Sequence, residues 1–147
     1  MAIKTDRAIV TATPRSRVWR ALTEMSEFQQ WFSVECVSGR FAPGERVDFV
    51  CTTPEYKGVK FYLIVEEMTP EHRFGWRWHP GIEKPGEDFS VEPFTHVMFE
   101  LDEVDGKTQV RVVETGFDEL PAGRRERAHK ENDGGWEFML GSLERHL

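Results

Sequence analysis

The segment from residue 121 to the end constrains the fold most, because it reads as one long helix with a single apolar stripe. The large side chains on that stripe are Trp136, Met139, Leu140, Leu143 and Leu147. Upstream, the stripe continues through Ala128, Asn132 and Gly135, which carry little apolar bulk. A helix with one apolar face has to bury it against another layer, so we expect this helix to cover a sheet.

Two adjacent glycines, Gly134 and Gly135, lie in the middle of this helix, where each costs up to about 1 kcal/mol relative to alanine. Two interpretations remain open. Side chains removed from the inner face leave a volume beneath the helix, which aromatic residues opposite would line. Alternatively, the glycines mark a kink or the start of a shorter helix near Asp133.

From residue 34 to residue 116 the chain consists of short β-type runs separated by turn signals. The runs cover residues 34–38, 46–52, 59–68, 73–78, 95–104 and 108–116. Asp105 and Gly106 form a strong signal for a two-residue hairpin. Connections this short between sequential strands predict an antiparallel meander.

Residues 3–11 predict an edge strand, and two short helices follow it. Thr13 is expected to cap the first helix ahead of Pro14, and Ser26 with Gln29 resembles a capping box for the second. The whole order predicts one α+β domain over residues 1–147. In it, a curved antiparallel sheet of about seven strands wraps around the long C-terminal helix, with the two short helices between strands 1 and 2.

The charge and the cysteine content limit the kinds of partner and the compartment that we expect. Nineteen basic residues against 26 acidic ones give a net charge of −7, which argues against nucleic acid and against a membrane surface as partners. The two cysteines, Cys36 and Cys51, do not resemble a disulfide framework. With no signal peptide and no membrane-spanning run in the sequence, we expect a soluble cytoplasmic protein.

Five segments, taken in order, resemble a known family. They read TATPRSRVWRALTEMSEFQQWF, GRFAPGERVDF, FGWRW, VRVVETGF and GGWEFMLGSLERHL. With these segments in this order, the chain resembles the START-like (SRPBCC) superfamily, whose members have the helix-grip fold. Within that superfamily it resembles the group of heat-shock ATPase activator homologues. The resemblance covers essentially the whole chain. It implies a hydrophobic cavity between sheet and long helix, often holding a small apolar ligand, but no particular reaction and no catalytic motif.

The walls of such a cavity can be assigned from side-chain alternation. Phe74, Trp76 and Trp78 share one face of their strand. With aromatic and helix positions elsewhere, the expected cavity wall comprises Trp31, Phe61, Trp76, Trp78, Phe99, Asn132, Gly135, Trp136 and Met139. The alternative is that the tryptophans fill the space themselves and leave a close-packed core without a pocket.

Two further segments have competing interpretations. Residues 79–93, rich in proline and glycine, are more than a hairpin loop requires, so they form a lid over the cavity mouth, a dimer contact or a plain surface insertion. The basic run of Arg124, Arg125, Arg127 and Lys130 is interpreted as a solvated helix face, with a partner-docking surface as the alternative.

Glu114 is the weak candidate for catalysis, because it shares strand parity with Val110 and Val112 and its carboxylate is expected to point inward. Burial would raise its pKa and suit an acid–base role, whereas at a strand end it would reach water or an arginine. The five histidines lack metal-ligand spacing, and the sequence has no nucleophile or phosphate-loop motif. Neither a metal nor a cofactor is therefore predicted.

Together these observations favour a domain that binds a small apolar molecule over an enzyme. One alternative is a cyclase-like or hydrolase-like enzyme that uses a buried carboxylate such as Glu114. Another is a chaperone-linked module that acts through protein interaction. A homodimer is left open.

Overall fold

A computed structural model of the protein describes residues 3–147, which form one antiparallel sheet and three helices. The strands are β1 (Thr5–Thr11), β2 (Val34–Ser38), β3 (Arg46–Cys51), β4 (Lys60–Thr69), β5 (Arg73–Trp78), β6 (Thr95–Val104) and β7 (Lys107–Thr115). The helices are α1 (Arg15–Thr23), α2 (Met25–Phe32) and α3 (Ala122–His146). The sheet order is β1-β7-β6-β5-β4-β3-β2, so β1 and β2 are its edges. This confirms the predicted helix-grip architecture.

The hairpin between β6 and β7 follows the turn chemistry predicted for it. Val104 pairs with Lys107, and the two residues between them have positive φ, 52° at Asp105 and 75° at Gly106. Positive φ at both central residues is the requirement of a type I′ turn, whose twist matches that of the strands. The turn therefore fixes the register between β6 and β7.

The predicted helix caps are wrong at both short helices. Pro14, not Thr13, precedes α1, because Thr13 belongs to the turn after β1, where its backbone N–H donates to Thr11 Oγ1. Glu24 ends α1 and also precedes α2, which places Ser26 inside the second helix. A single connecting residue leaves no room for a separate capping box.

Helix α3 runs without interruption through Gly134 and Gly135, which excludes a helix that begins near Asp133. Its C-terminal half buries Trp136, Leu140 and Leu143 against the sheet and α2. A Cβ atom at either glycine would meet no heavy atom within 4 Å apart from its chain neighbours and the adjacent helix backbone. Close packing therefore does not require glycine at these two positions.

The core lies at the inner end of the space between α2, α3 and the sheet. Its large members are Phe28, Trp31, Phe49, Phe74, Trp76 and Phe99, each at most 1% exposed. Trp31 also donates its indole N–H to the carbonyl of Ala21 at 2.7 Å, which joins α2 to α1. None of the helices within residues 3–147 has the length and apolar character to cross a membrane.

Candidate ligand cavity and buried carboxylate

A cavity with a volume of about 820 Å³ lies between the middle of α3, the ends of β3 to β5 and the segment after β5. Its walls on the sheet and α2 are Phe32, Cys51, Tyr56, Val59, Lys60, Phe61, Tyr62 and Trp78. The segment after β5 adds His79, Gly81, Ile82, Glu83, Lys84 and Phe89, and α3 adds Glu131, Asn132, Gly135, Trp136 and Met139. Aromatic walls with a few polar groups are typical of a small-molecule site.

Gly135 lies on the wall of this cavity, whereas its neighbour Gly134 is exposed on the outer side of the helix. Because nothing lies within 4 Å of a Cβ built at position 135, the missing side chain leaves open volume there. At Gly135 the absence of a side chain on the inner helix face thus coincides with open volume beneath the helix, as the sequence led us to expect.

The nine predicted wall residues divide into two groups. Six line the cavity: Phe61, Trp78, Asn132, Gly135, Trp136 and Met139. The other three, Trp31, Trp76 and Phe99, lie in the closed core instead. Tryptophan and phenylalanine rings fill one part of the space between the sheet and α3, and the cavity occupies the rest. A close-packed core and an open cavity, which were expected as alternatives, therefore lie side by side.

Glu114 lies on β7, with none of its surface exposed, and its carboxylate accepts hydrogen bonds from four side chains. Thr95 Oγ1 donates to Oε2 at 2.6 Å, and the indole Nε1 of Trp78 donates to the same oxygen at 2.9 Å. Trp136 Nε1 donates to Oε1 at 2.8 Å. Asn132 Nδ2 lies 2.9 Å from Oε1 and 3.0 Å from Oε2.

These donors decide the electrostatics of the site. Burial raises the pKa of Glu114 above its ordinary value, and the hydrogen bonds from the four donors oppose that rise. Two indole N–H groups and an amide NH₂ can only donate, so three of the four partners match an ionised carboxylate. The donor set thus fits an ionised Glu114 while burial opposes the charge, and no arginine or lysine within residues 3–147 is bonded to this carboxylate.

The same geometry limits the chemistry that is open to Glu114. Both carboxylate oxygens are occupied by donors, which leaves no vacant lone pair directed at a substrate. Two of those donors belong to Trp78 and Trp136, whose rings stack 5.9 Å apart with an interplanar angle of 25°. The carboxylate thus fixes the two indoles and the Asn132 amide that form one end of the cavity, which favours positioning over acid–base chemistry.

A second polar contact in the cavity was not foreseen from the sequence. The hydroxyl of Tyr62 lies 3.2 Å from His79 Nε2, and the imidazole stacks on Phe94 with ring centroids 4.4 Å apart. Burial lowers the pKa of His79, which favours the neutral ring at neutral pH. Within residues 3–147, no group of three His, Cys, Asp or Glu side chains is arranged to hold a metal ion.

The basic run on α3 is only in part the solvated face that was expected, because Lys130 is exposed whereas Arg124 is buried. Arg124 is buried, bonds Glu92 at 3.0 Å and the Pro80 carbonyl at 2.7 Å, and places its guanidinium 3.7 Å from the centre of the Phe89 ring. Arg127 adds a 2.8 Å bond to Glu87. Arg124 and Arg127 thus anchor the segment of residues 79–93 to the helix. The acidic residues of that segment were the available signal in the sequence, but the two pairs span 32 and 40 positions and so leave no local pattern.

The fold, with a cavity between α3 and the sheet, is that of the START-like class of helix-grip proteins. A family model described as "Activator of Hsp90 ATPase homolog 1-like protein" matches residues 12–147, and the chain belongs to that family. No protein of curated function matches the sequence.

Solved structures show the same fold at low sequence identity. Protein Ms6760 from Mycobacterium smegmatis is 18% identical with a TM-score of 0.79, and the match covers 99% of this chain and 91% of that one. MLL2253 from Mesorhizobium loti is 19% identical with a TM-score of 0.73, covering 97% and 95%. The Aha1 dimer from Colwellia psychrerythraea is 18% identical with a TM-score of 0.71, covering 97% and 93%.

Proposed function

We propose that this protein binds a small, mainly apolar molecule in the cavity between α3 and the sheet. The observation that carries the proposal is the open volume of about 820 Å³ at Gly135, opposite Phe61 and Trp78. That volume lies within the range of about 300–1,000 Å³ typical of small-molecule sites. Burial of an apolar ligand against these rings would supply the main favourable free energy.

Rigid walls support the proposal. The indoles of Trp78 and Trp136 are held at both the ring face and the N–H, by stacking and by Glu114. A wall that is ordered before binding loses little conformational entropy when a ligand arrives, which favours affinity. The saturated carboxylate gives the enzyme alternative no comparable support, and self-association remains a prediction for this chain.

A matched pair of glycine variants tests the proposal. Gly135→Leu directs a side chain into the cavity, whereas Gly134→Leu directs the same side chain to the exposed side of the helix. Both replace glycine by a good helix former, so both should gain a similar helix propensity of about 1 kcal/mol. We expect Gly135→Leu to weaken binding of the apolar dye Nile red by about tenfold or more, equivalent to about 1.4 kcal/mol, and Gly134→Leu to leave it unchanged.

Fluorescence titration measures the dye affinities, and native mass spectrometry of freshly purified protein looks for a co-purified small molecule. Equal dye affinity in the two variants, with no co-purified molecule in the wild type, would exclude the cavity as the binding site.

A further inference from the structure

We infer that the ligand inserts an uncharged or cationic hydrogen-bond donor, such as a hydroxyl or an amine, toward Asn132, and that the site discriminates against carboxylates. The inference rests on the proposed function and specifies the chemistry of the ligand's inner end. It follows from how the Glu114 network orients one amide and from the charge that this network encloses.

The orientation of Asn132 is fixed by chemistry. Its Nδ2 contacts both oxygens of Glu114, and the opposite amide orientation would place Oδ1 against an anion. Asn132 is only half-buried and lies on the cavity wall. Among residues 3–147, no group donates to its Oδ1, and that atom is not among the buried polar atoms without a partner. Oδ1 is thus an accessible acceptor next to the cavity.

The charge behind Asn132 determines which head groups suit this acceptor. Partners that can only donate favour the ionised form of Glu114, and no arginine or lysine among residues 3–147 is bonded to it to neutralise that charge. A ligand carboxylate at Asn132 would be separated from that anion only by the Asn132 side chain. Two like charges this close repel strongly in a poorly solvated site. A hydroxyl or an amine would instead donate to Oδ1 and lie in a favourable potential.

The other charges on the cavity wall balance one another. Lys60 and Lys84 oppose Glu83 and Glu131, and all four residues are exposed. Exposed charges are screened by salt within a few ångströms at high ionic strength, whereas a buried charge is screened much less. Salt therefore separates a preference set by the cavity rim from one set by Glu114.

The experiment compares four naphthalenes that share one apolar body and differ in the head group at carbon 2. The head groups are methyl, hydroxymethyl, aminomethyl and carboxylate, each assayed by displacement of Nile red at about pH 8, where the free carboxylic acid is ionised. We expect the hydroxymethyl and aminomethyl compounds to bind at least about tenfold more tightly than the carboxylate. We expect that ratio to persist in about 0.5 M salt.

Asn132→Leu provides the second measurement, because it removes the acceptor and keeps an apolar wall. We expect this variant to lose the wild-type preference for the hydroxymethyl compound over the methyl compound. The wild-type ratios decide the question by themselves if this variant fails to fold.

Three results would overturn the inference: a carboxylate that binds as tightly as the alcohol, a ratio that disappears in salt, or an unchanged alcohol preference in Asn132→Leu. If Nile red and all four compounds bind with equal affinity, only this inference fails. If neither the dye nor any compound binds, the proposed function fails with it.

Discussion

At the scale of single residues, the environment of Glu114 distinguishes this cavity from a plain apolar hollow. A buried carboxylate usually has a cationic partner, because an isolated buried charge is costly. Here Thr95, Asn132 and two tryptophans take that place. Each of the two Glu114 oxygens accepts a hydrogen bond from one indole N–H. A side chain at this position therefore needs an acceptor at both terminal atoms and no donor.

Glu114→Gln tests that requirement. A glutamine NH₂ would face an indole N–H whichever way the amide is turned, toward Trp78 at one oxygen position or toward Trp136 at the other. One buried donor would remain unpaired, and we expect the free energy of unfolding to fall by about 1–3 kcal/mol. Urea denaturation measures the change.

The control for this substitution is Glu126→Gln on the exposed side of α3, which should alter stability by less than about 0.5 kcal/mol. If both variants unfold at the same urea concentration, the hydrogen bonds at Glu114 contribute no net stability.

At the scale of elements, α3 has a different task in each half. Its C-terminal half buries Trp136, Leu140 and Leu143, and its N-terminal half holds the segment of residues 79–93 through Arg124 and Arg127. The Arg124–Glu92 pair is nearly closed to solvent, with side-chain exposures of 7% and 11%. Removing one partner of such a pair leaves an uncompensated charge.

We expect Arg124→Met to lower the free energy of unfolding by about 3–5 kcal/mol and to speed proteolysis within residues 79–93. The matched variant carries both Arg124→Met and Glu92→Met and should recover part of the loss, because neither charge is then left alone. Thermal unfolding and limited proteolysis with peptide mapping measure both effects. A single variant that is as protease-resistant as the wild type would show that other contacts hold the segment.

The elements also show how far the sequence could be interpreted. Periodicity and turn residues were sufficient for the seven strands, the hairpin at Asp105 and the long helix, because these signals are local. The two helix caps failed, since Thr13 and Ser26 match a motif that tertiary contacts and a one-residue connection override. Alternation along β7 was enough to suggest that Glu114 points inward. The donors to Glu114 come from β5, β6 and α3, which are distant in sequence. No sequence spacing therefore predicts that they converge on one carboxylate.

At the scale of the whole molecule, the first strand and the last helix close the structure at one edge of the sheet. Arg7 on β1 bonds both oxygens of Asp133 on α3, at 3.2 and 2.8 Å. His129 contacts the Lys4 carbonyl at 2.9 Å in the same region. The hydrogen bond from Arg7 lowers the pKa of Asp133 below its ordinary value.

This pair gives a pH dependence of known sign. A carboxylate whose pKa is lower in the folded state stabilises the fold above its unfolded pKa, and that contribution is lost as the pH falls through the folded pKa. We expect Asp133→Asn to lose about 0.2–1 kcal/mol at pH 7, because the pair is partly exposed. The deficit should shrink toward zero as the pH falls below the unfolded value of about 3.9.

Urea titrations of wild type and variant at several pH values measure this difference. Glu137→Gln is the control, since its carboxylate is 71% exposed and lies 3.5 Å from Arg7. A deficit for Asp133→Asn that is the same at every pH would mean that the ion pair does not produce it.

The stacked pair of Trp78 and Trp136 has a consequence for observing the molecule. Of the five tryptophans in the chain, these two line the cavity, and both indole N–H groups touch the same carboxylate. Anything that enters the cavity changes the surroundings of two chromophores at once. The intrinsic emission and near-ultraviolet dichroism of the unlabelled protein therefore make it an optical sensor of its own occupancy.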